Sequence, residues 1–456
     1  MYLLGGWKPL TLIFTPLGIR GIFGEGINAE ISLKIANIFG RRLGKGSVVV
    51  VGRDTRPSGD VLDRAVVSGL ISAGVDVINI GIAPTPTIEW AVEKYGADGG
   101  IIISASHNPP EWNALKLIGK GGLLLHPDEM ERLRREFERG RFESVPWTEL
   151  GSEESADIIE EYLNDLLRFI DIEKIESAGF KVVLDVNGGA GAYATPYLFQ
   201  GLGVKVNVIN AAPGIFVREM EPRPDTLGDL SRIVVATGYN AGFAHDTDAD
   251  RLSLVTEKGE VMSEDITLAL VVDYILERRG GGSLVVNVAS SKMFDDIAKK
   301  RGAKIFRTPV GEAYVAHKMR ELGATVGGEG SCGGVILPDF HMGRDGPLAA
   351  ALILEIMARR RESLSELIRK LPSYYTIRQN FRRERDWDSL KRDLISLGEK
   401  RGMEIDLIDG VRLSDLDVWA LVRPSKTEPK IRVLVEGEDR VRAEELLEEI
   451  KKVLQV

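Results

Sequence analysis

Short runs of β-branched residues alternate with amphipathic stretches along most of this chain. Residues 47–52, 75–80 and 99–104 are rich in valine, isoleucine and glycine, whereas residues 60–73 place their apolar side chains on one helical stripe. Alternation of this kind is typical of α/β layers, in which the buried strands are mostly parallel. The pattern therefore predicts α/β domains whose sheets are covered by helices.

The same pattern divides the chain into four units. A total of 456 residues exceeds one ordinary domain. A Glu- and Ser-rich stretch closes the first unit near residue 150, and a strand at residues 252–255 opens the third. After residue 370 the pattern changes to that of a compact α+β unit. We predict domains at residues 1–150, 151–250, 251–370 and 371–456.

Composition and charge exclude several classes of protein. The chain carries 59 Lys and Arg against 68 Asp and Glu, a net charge of −9, and no basic stripe that would bind nucleic acid. No apolar run approaches the roughly 20 residues of a membrane span. Residues 1–13 lack the basic start and the cleavage site of a secretory signal, and a single cysteine, Cys332, suits a reducing compartment. We expect a cytoplasmic protein.

One glycine-rich segment matches the sequence pattern of a dinucleotide-binding site. Gly189-Ala190-Gly191-Ala192-Tyr193-Ala194 fits the G-x-G-x-x-A pattern between a predicted strand and helix. The next strand ends at Asn210 instead of the acid that would hold the ribose. The segment therefore favours a tight strand–helix turn, and a dehydrogenase remains a weaker alternative.

The first segment that could take part in catalysis is Ser104-Ala105-Ser106-His107-Asn108-Pro109-Pro110. It follows an apolar strand, so Ser106 should lie just past the carboxyl end of that strand, where open α/β sheets bind ligands. A serine hydroxyl there can act as a nucleophile or carry a phosphoryl group, and His107 can orient it or move a proton. Plain turn chemistry is the alternative reading.

The second segment is Asp246-Thr247-Asp248-Ala249-Asp250-Arg251, with carboxylates at every other position between two apolar runs. A curled loop would direct all three carboxylates to one hard cation. Three carboxylates without a cation would repel one another, and oxygen ligands suit Mg²⁺. A calcium loop is excluded because Arg251 occupies the position where that loop needs glycine.

The third segment combines cationic and hydroxyl side chains within ten residues. It contains Arg423, Ser425, Lys426 and Thr427, followed by Arg432, between two predicted strands. Guanidinium, ammonium and hydroxyl groups together favour binding of a phosphate.

A hydroxyl nucleophile, a divalent cation site and a distant phosphate cradle together indicate phosphoryl transfer on a phosphorylated substrate. In this order the motifs resemble the α-D-phosphohexomutase family, which includes phosphoglucomutase, phosphomannomutase and phosphoglucosamine mutase. The resemblance spans nearly the whole chain. It also includes Gly18-Ile19-Arg20-Gly21, Gly52-Arg53-Asp54-Thr55-Arg56, Thr308-Pro309-Val310-Gly311 and Gly328-Glu329-Gly330-Ser331.

The resemblance implies three related α/β domains with mixed sheets and a smaller carboxyl-terminal α+β domain around a central cleft. It implies that Ser106 carries the phosphate and shares one Mg²⁺ per chain with Asp246, Asp248 and Asp250. The catalytic residues would be Ser106, His107, Lys116, Arg20 and Arg251. The residues expected to bind the substrate are Thr308, Gly311, Glu329, Ser331, Arg423, Ser425, Thr427 and Arg432.

Three segments depart from the family's pattern. Phe14-Thr15-Pro16-Leu17 stands where the family has a Gly-Thr pair, and Lys426 replaces a glycine in the phosphate cradle. Cys332 with two following glycines alters the loop that contacts the sugar, so this last departure bears most on the identity of the substrate.

The predicted function is a phosphohexomutase that interconverts hexose 1-phosphate and hexose 6-phosphate, of glucose or mannose. A hexose 1,6-bisphosphate would serve as intermediate and activator. Phosphoglucosamine mutase is the alternative within the family, and a metal-dependent phosphatase with an acyl phosphate on Asp246 is a weaker one. We expect a phosphosugar as partner, neither nucleic acid nor membrane, and either a monomer or a homo-oligomer.

Overall fold

Four β-sheets, each with its own helices, make up the computed structural model of the chain. The described residues are 12–15, 18–140, 142–263, 265–330, 333–425 and 430–455. No helix in these ranges is both long and apolar enough to cross a membrane.

The first domain is built on a seven-stranded mixed sheet with the strand order β1-β2-β6-β5-β3-β4-β7. The strands are β1 (Leu12–Thr15), β2 (Gly18–Ile22), β3 (Val48–Arg53), β4 (Asp76–Ile82), β5 (Gly99–Ile103), β6 (Trp112–Gly119) and β7 (Glu153–Ser155). The helices are α1 (Ala29–Leu43), α2 (Gly59–Ser72), α3 (Thr85–Lys94) and α4 (Pro127–Glu138). Strand β5 is buried along its whole length, because helices cover both faces of this part of the sheet.

The second domain has a four-stranded sheet with the order β11-β10-β8-β9. Its strands are β8 (Lys181–Asp185), β9 (Lys205–Ile209), β10 (Ala241–Ala244) and β11 (Ser253–Thr256). Its helices are α5 (Ile159–Phe169), α6 (Ile172–Ala178), α7 (Thr195–Gly201) and α8 (Gly228–Thr237). Strand β11 pairs antiparallel with β10, so it belongs to this sheet and not to the third unit, where its position in the sequence had placed it.

The third domain also has a four-stranded mixed sheet, in the order β13-β12-β14-β15. Its strands are β12 (Gly282–Asn287), β13 (Ala303–Thr308), β14 (Val326–Glu329) and β15 (Gly334–Ile336). Its helices are α9 (Ile266–Arg279), α10 (Met293–Arg301), α11 (Glu312–Leu322), α12 (Gly346–Arg360) and α13 (Leu364–Ile368).

The fourth domain is an α+β unit with an antiparallel sheet in the order β16-β20-β19-β18-β17. Its elements are β16 (Tyr375–Arg382), α14 (Trp387–Arg401), β17 (Glu404–Asp406), β18 (Val411–Ser414), β19 (Val418–Pro424), β20 (Lys430–Gly437) and α15 (Arg440–Leu454). Asp386 and Asp439 cap the two helices by accepting hydrogen bonds from Ser389 and Arg442 backbone nitrogens. The predicted fold class is confirmed.

Strands β5, β10 and β14 occupy equivalent places in the first three sheets. Each lies between a parallel neighbour and an antiparallel one. The chain leaves each of these strands at its carboxyl end, where open sheets place their ligands. The three loops or strand ends concerned carry Ser106, Asp246 and Glu329, respectively. Equivalent topology therefore supplies one functional segment from each domain.

Apolar contacts hold the domains together. Trp90 of α3 packs against Tyr162 of α5, with ring centroids 5.8 Å apart, and Tyr162 packs against Phe340 at 5.9 Å. Leu268 of α9 belongs to the same buried cluster, so one core links the first three domains. The fourth domain contacts the third through a separate small cluster that includes Trp419.

Candidate active site

Ser106 lies in the turn that follows β5 and is 6% exposed. Its backbone is in the left-handed region with φ 48°, a conformation that few non-glycine residues adopt outside functional or tightly constrained turns. Its amide donates to Ser104 Oγ at 3.0 Å, and its own Oγ donates to Asp246 Oδ2 at 2.8 Å. The turn therefore directs the Ser106 hydroxyl from the first domain to the acidic loop of the second.

Arg56 holds this turn in shape. Its guanidinium is fully buried and donates to four backbone carbonyl oxygens, at 2.6–3.1 Å, those of Ser106, Asn108, Pro109 and Trp112. Asp54 balances the charge, since it accepts from Arg56 Nε at 3.0 Å and from Ser104 Oγ at 2.6 Å. The sequence singled out this motif, but its supporting role depends on carbonyl groups that are about 50 residues away.

The acidic loop follows β10 and brings three carboxylates together. One oxygen from each of Asp246, Asp248 and Asp250 lies within 4.8 Å of the others, and all three residues are fully buried. Ala249, with φ 54°, provides the curl that their spacing requires. Asp248 Oδ1 and Asp250 Oδ1 accept no hydrogen bond from the described residues. Buried oxygens left without donors fit a hard divalent cation, so the donor set suits Mg²⁺.

Charged neighbours set the protonation of these acids. Burial and the charges of Asp250 and Asp248 raise the pKa of Asp246 well above its usual value. Burial alone would do the same to Asp248, but Lys116 Nζ at 2.7 Å and the Thr85 hydroxyl at 2.7 Å outweigh it and lower the pKa. Lys116 therefore lies inside the acidic cluster, and Asp248 and Asp250 overcome its burial and raise its pKa.

Cationic side chains contact the two residues that follow Ser106 in the turn. Arg251 Nη2 donates to His107 Nδ1 at 2.9 Å, and Arg20 Nη1 donates to Asn108 Oδ1 at 3.1 Å. Burial, then the charges of Arg251 and Arg432, lower the pKa of Arg20 to about 10. Burial and the same arginine, Arg251, also lower the pKa of His107 well below its usual value, which keeps the imidazole neutral. Because these buried cationic groups repel one another, the site favours an anionic ligand that would neutralise them.

The predicted sugar-binding residues of the third domain lie near each other. Glu329 Oε1 accepts from Gly311 N at 2.7 Å and from Asn287 Nδ2 at 2.9 Å, and Thr308 precedes that turn at the end of β13. Ser331 and Cys332 lie outside the described residues. Sequence analysis missed Asn287 and Arg344, whose roles come entirely from contacts made in the folded chain.

In the fourth domain, Arg423 and Arg432 face each other across the β19–β20 pair. Arg423 Nη1 contacts Asp409 Oδ2 at 2.9 Å, and the same oxygen accepts from Val310 N at 3.1 Å. Ser425 N donates to Lys430 O at 2.8 Å, whereas Lys426 and Thr427 lie outside the described residues. Asp409 thus links Arg423 of the predicted phosphate-binding segment to the turn at 308–311.

The Gly189 segment packs against the acidic loop. A Cβ atom on Gly189 would lie 2.5 Å from the backbone oxygen of Thr247, so only glycine fits. The segment continues as a short 3₁₀ turn over Ala190–Tyr193, as a tight strand–helix connection requires. Its glycines therefore serve the close approach to residues 246–250.

A buried serine, a carboxylate cluster suited to a divalent cation and a ring of arginines define an enzyme of the phosphoryl-transfer class. Comparison with known proteins identifies the family within this class. Profiles of the phosphoglucomutase/phosphomannomutase family match residues 11–144 (alpha/beta/alpha domain I), 160–259 (domain II), 263–375 (domain III) and 377–453 (C-terminal domain).

A phosphoglucomutase/phosphomannomutase of Thermococcus kodakarensis is 43% identical over 96% of this chain and 97% of its own. A Methanopyrus kandleri protein named "Probable phosphoglucosamine mutase" is 42% identical over 96% of both chains. The crystal structure of a family protein from Burkholderia thailandensis superposes with a TM-score of 0.86 at 28% identity, covering 97% of each chain.

The chain belongs to the phosphoglucomutase/phosphomannomutase family. It is therefore a phosphohexomutase, an isomerase that transfers phosphate within its substrate. A phosphoserine and magnesium dependence are typical of this family.

Proposed function

We propose that this chain interconverts the 1-phosphates and 6-phosphates of glucose and mannose, with a phosphate stored on Ser106 and a hexose 1,6-bisphosphate as intermediate. The contact between Ser106 Oγ and Asp246 carries the proposal, because it places a hydroxyl nucleophile beside a carboxylate cluster that fits a divalent cation. Arg20 and Arg251 add positive charge beside the serine turn, where they contact Asn108 and His107, and Arg251 Nε also lies 3.7 Å from Asp246 Oδ2.

In the first half-reaction a sugar hydroxyl attacks the phosphorus on Ser106, and the bond between phosphorus and Ser106 Oγ breaks. Lys116, which the acidic cluster keeps protonated at rest, would give its proton to the leaving Oγ, and the neutral amine so formed would then take the proton of the attacking hydroxyl. Arg20 and Arg251 offset the charge that builds on the transferred group. One Mg²⁺ held by Asp246, Asp248 and Asp250 would add Lewis-acid stabilisation of the phosphate.

The second half-reaction reverses the first at the other end of the sugar. Arg423, Ser425, Thr427 and Arg432 would bind the phosphate that is not being transferred. One phosphoserine and one cradle can serve both ends only if the bisphosphate turns round between the two transfers. The apolar cluster between the third and fourth domains is small and separate from the main core, which suits a fourth domain that moves to enclose the sugar.

Phosphoglucosamine mutase is the second candidate, since the Methanopyrus kandleri relative carries that name. The two functions differ at C2 of the sugar, where an amine replaces a hydroxyl. Glu329 lies at the end of β14 with Oε1 occupied by Gly311 and Asn287, so a sugar group would approach the other oxygen. A carboxylate oxygen accepts hydrogen bonds from an amine and from a hydroxyl alike. Rates on each sugar phosphate must therefore identify the substrate.

The decisive experiment compares initial rates on glucose, mannose and glucosamine 1-phosphates with Mg²⁺ and a 1,6-bisphosphate primer. We expect turnover of the glucose and mannose compounds; exclusive turnover of glucosamine 1-phosphate would favour the second candidate. Ser106→Ala should lose at least 1000-fold in rate, as roughly expected for removal of a covalent nucleophile. Ser68→Ala, on the exposed face of α2, serves as the control.

Intact-mass analysis separates the mutase from a phosphatase that works through Asp246. An acid-stable phosphate on Ser106 supports the mutase, whereas an acid-labile acyl phosphate on Asp246 would contradict it. Metal analysis and light scattering of the same preparation test the proposed single Mg²⁺ per chain and give the oligomeric state. Recovery of activity after addition of the 1,6-bisphosphate tests its role as activator.

A further inference from the structure

Arg344 lies between the acidic loop and the sugar-binding carboxylate and is 3% exposed. Its Nη2 donates to Asp250 Oδ2 at 2.6 Å, and its Nη1 lies 3.4 Å from Glu329 Oε2. Its Nε donates to Glu312 Oε2 at 2.9 Å, and its backbone amide donates to Glu312 Oε1 at 3.1 Å. One guanidinium therefore contacts acids from the second and third domains.

The surroundings are built around an arginine at this position. A Cβ on Gly334 would lie 2.5 Å from Arg344 Cδ, so the neighbouring strand leaves room for this side chain by having none of its own. The next residue, Asp345, caps α12 by accepting from Leu348 N at 2.7 Å and also accepts from the Tyr162 hydroxyl. The backbone that carries Arg344 is therefore held in place. From it, the planar guanidinium contacts three carboxylates with defined geometry.

The two ends of this network have different tasks. Arg344 and Lys116 both donate to Asp250 Oδ2, whereas Asp250 Oδ1 accepts no hydrogen bond from the described residues and can bind a cation. A cation bound there would weaken the pull of Asp250 on Arg344, so the guanidinium would interact more strongly with Glu329 Oε2, 3.4 Å from its Nη1. This stronger interaction would hold Glu329 in the orientation in which it meets the sugar.

We propose that Arg344 is a positioning residue that couples cation binding at the acidic loop to sugar-phosphate binding at Glu329. The inference rests on the proposed function for the choice of sugar phosphate. By reciprocity, the sugar phosphate tightens cation binding by the same factor through which the cation tightens sugar-phosphate binding. Direct attraction between phosphate and cation adds to this factor, but it does not depend on Arg344.

The test measures the Mg²⁺ dissociation constant of the dephosphorylated protein by calorimetry, with and without saturating glucose 1-phosphate. The ratio of the two constants is the coupling factor. We expect Arg344→Lys, which keeps the charge and loses the fork, to lower this factor about three- to tenfold, within the range of such couplings. The control, Arg301→Lys, changes a similar arginine pair with Asp273 far from the acidic loop and should keep the factor of the wild type.

Glu329→Gln breaks the other end of the same network and should lower the coupling factor similarly, while the double variant shows no further loss. Folding of each variant is checked by circular dichroism. An unchanged factor in folded Arg344→Lys, or in Glu329→Gln, overturns the inference, as does a wild-type factor of one. Mutase turnover of the wild type is assayed separately, so failure of the proposed function is seen there and not in the binding ratio.

Discussion

Ser106 Oγ and Asp246 Oδ2 are joined by a hydrogen bond of 2.8 Å although the two residues are 140 positions apart. The bond crosses from the first domain to the second. Two further contacts cross the same boundary nearby, from Thr55 Oγ1 to Gly188 O and from Thr85 Oγ1 to Asp248 Oδ2, both at 2.7 Å. The candidate site therefore exists only where these two domains are docked.

Replacing Arg56 tests how the serine turn is supported. Arg56→Met removes the donors of four carbonyl groups and leaves Asp54 buried without its counter-charge. Breaking a buried ion pair in this way costs about 3–5 kcal/mol in the free energy of unfolding. We expect that loss in urea unfolding, together with at least a 100-fold fall in mutase rate, as a rough value for a displaced nucleophile.

The matched control for Arg56 is Arg64→Met on the exposed face of α2, where Arg64 pairs with Asp60. A surface pair of this kind contributes less than about 1 kcal/mol. If both variants lost the same small amount of stability and kept full activity, the turn would not depend on Arg56.

Removing the divalent cation should lower stability as well as activity. The buried Oδ1 atoms of Asp248 and Asp250 are not paired with donors among the described residues, so a bound cation relieves their repulsion. After EDTA treatment, Mg²⁺ at about 100 times its Kd should restore about 2.7 kcal/mol, seen as a rise in Tm.

Asp248→Asn should weaken that thermal response by at least tenfold in Mg²⁺ concentration, as a rough value for a lost charged ligand. Asp60→Asn, an exposed acid on α2, should respond like the wild type. A wild-type Tm that does not change when Mg²⁺ is added would contradict cation binding at the acidic loop.

Glu89 on α3 makes stability depend on pH. The charged groups around its buried carboxyl are Glu312, Lys116, Asp250 and Arg344. Burial, then the charge of Glu312, raises the pKa of Glu89 well above 4.5. The folded protein keeps a proton here that the unfolded chain releases, so stability is lost as pH rises from about 4.5 towards the raised pKa, by at most about 1.4 kcal/mol per pH unit.

Glu89→Gln removes this loss. Urea unfolding at pH 4 and pH 8 should find the variant close to the wild type at the lower pH and more stable than it at the higher one. Glu93→Gln, which is exposed on the same helix, should follow the wild type at both values. Equal pH slopes for the wild type and Glu89→Gln would show that Glu89 is ionised in the folded protein.

His107 should stay neutral in the working range of pH. Its Nδ1 accepts from Arg251, so the proton belongs on Nε2. Because burial and Arg251 lower its pKa below 6.5, this group costs stability as pH falls from about 6.5. Nitrogen NMR, with the signal assigned by loss in His107→Gln, should find an unprotonated Nδ1 at pH 7. An imidazolium signal at that pH would contradict this arrangement.

The positions of the functional loops could be predicted because each follows an apolar strand and carries polar residues that a plain turn does not need. Ser106 and Asp246 are of this kind. Arg344 could not be predicted, since its acidic partners come from three separate segments and no local pattern marks it. The strand predicted at residues 252–255 was placed in the third unit, whereas Ser253–Thr256 pairs with β10 of the second, because β-propensity indicates a strand without indicating its partner.

The sequence by itself determined the fold class, the phosphoryl-transfer chemistry and the family, because these depend on periodicity and on short motifs with characteristic spacing. Only the tertiary structure decided which oxygen atoms of Asp248 and Asp250 lack donors among the described residues, that Lys116 is protonated at rest and that Arg344 contacts two domains. Those properties depend on burial and on distances between residues far apart in the chain, since desolvation and Coulomb energies arise only when folding brings the charges together.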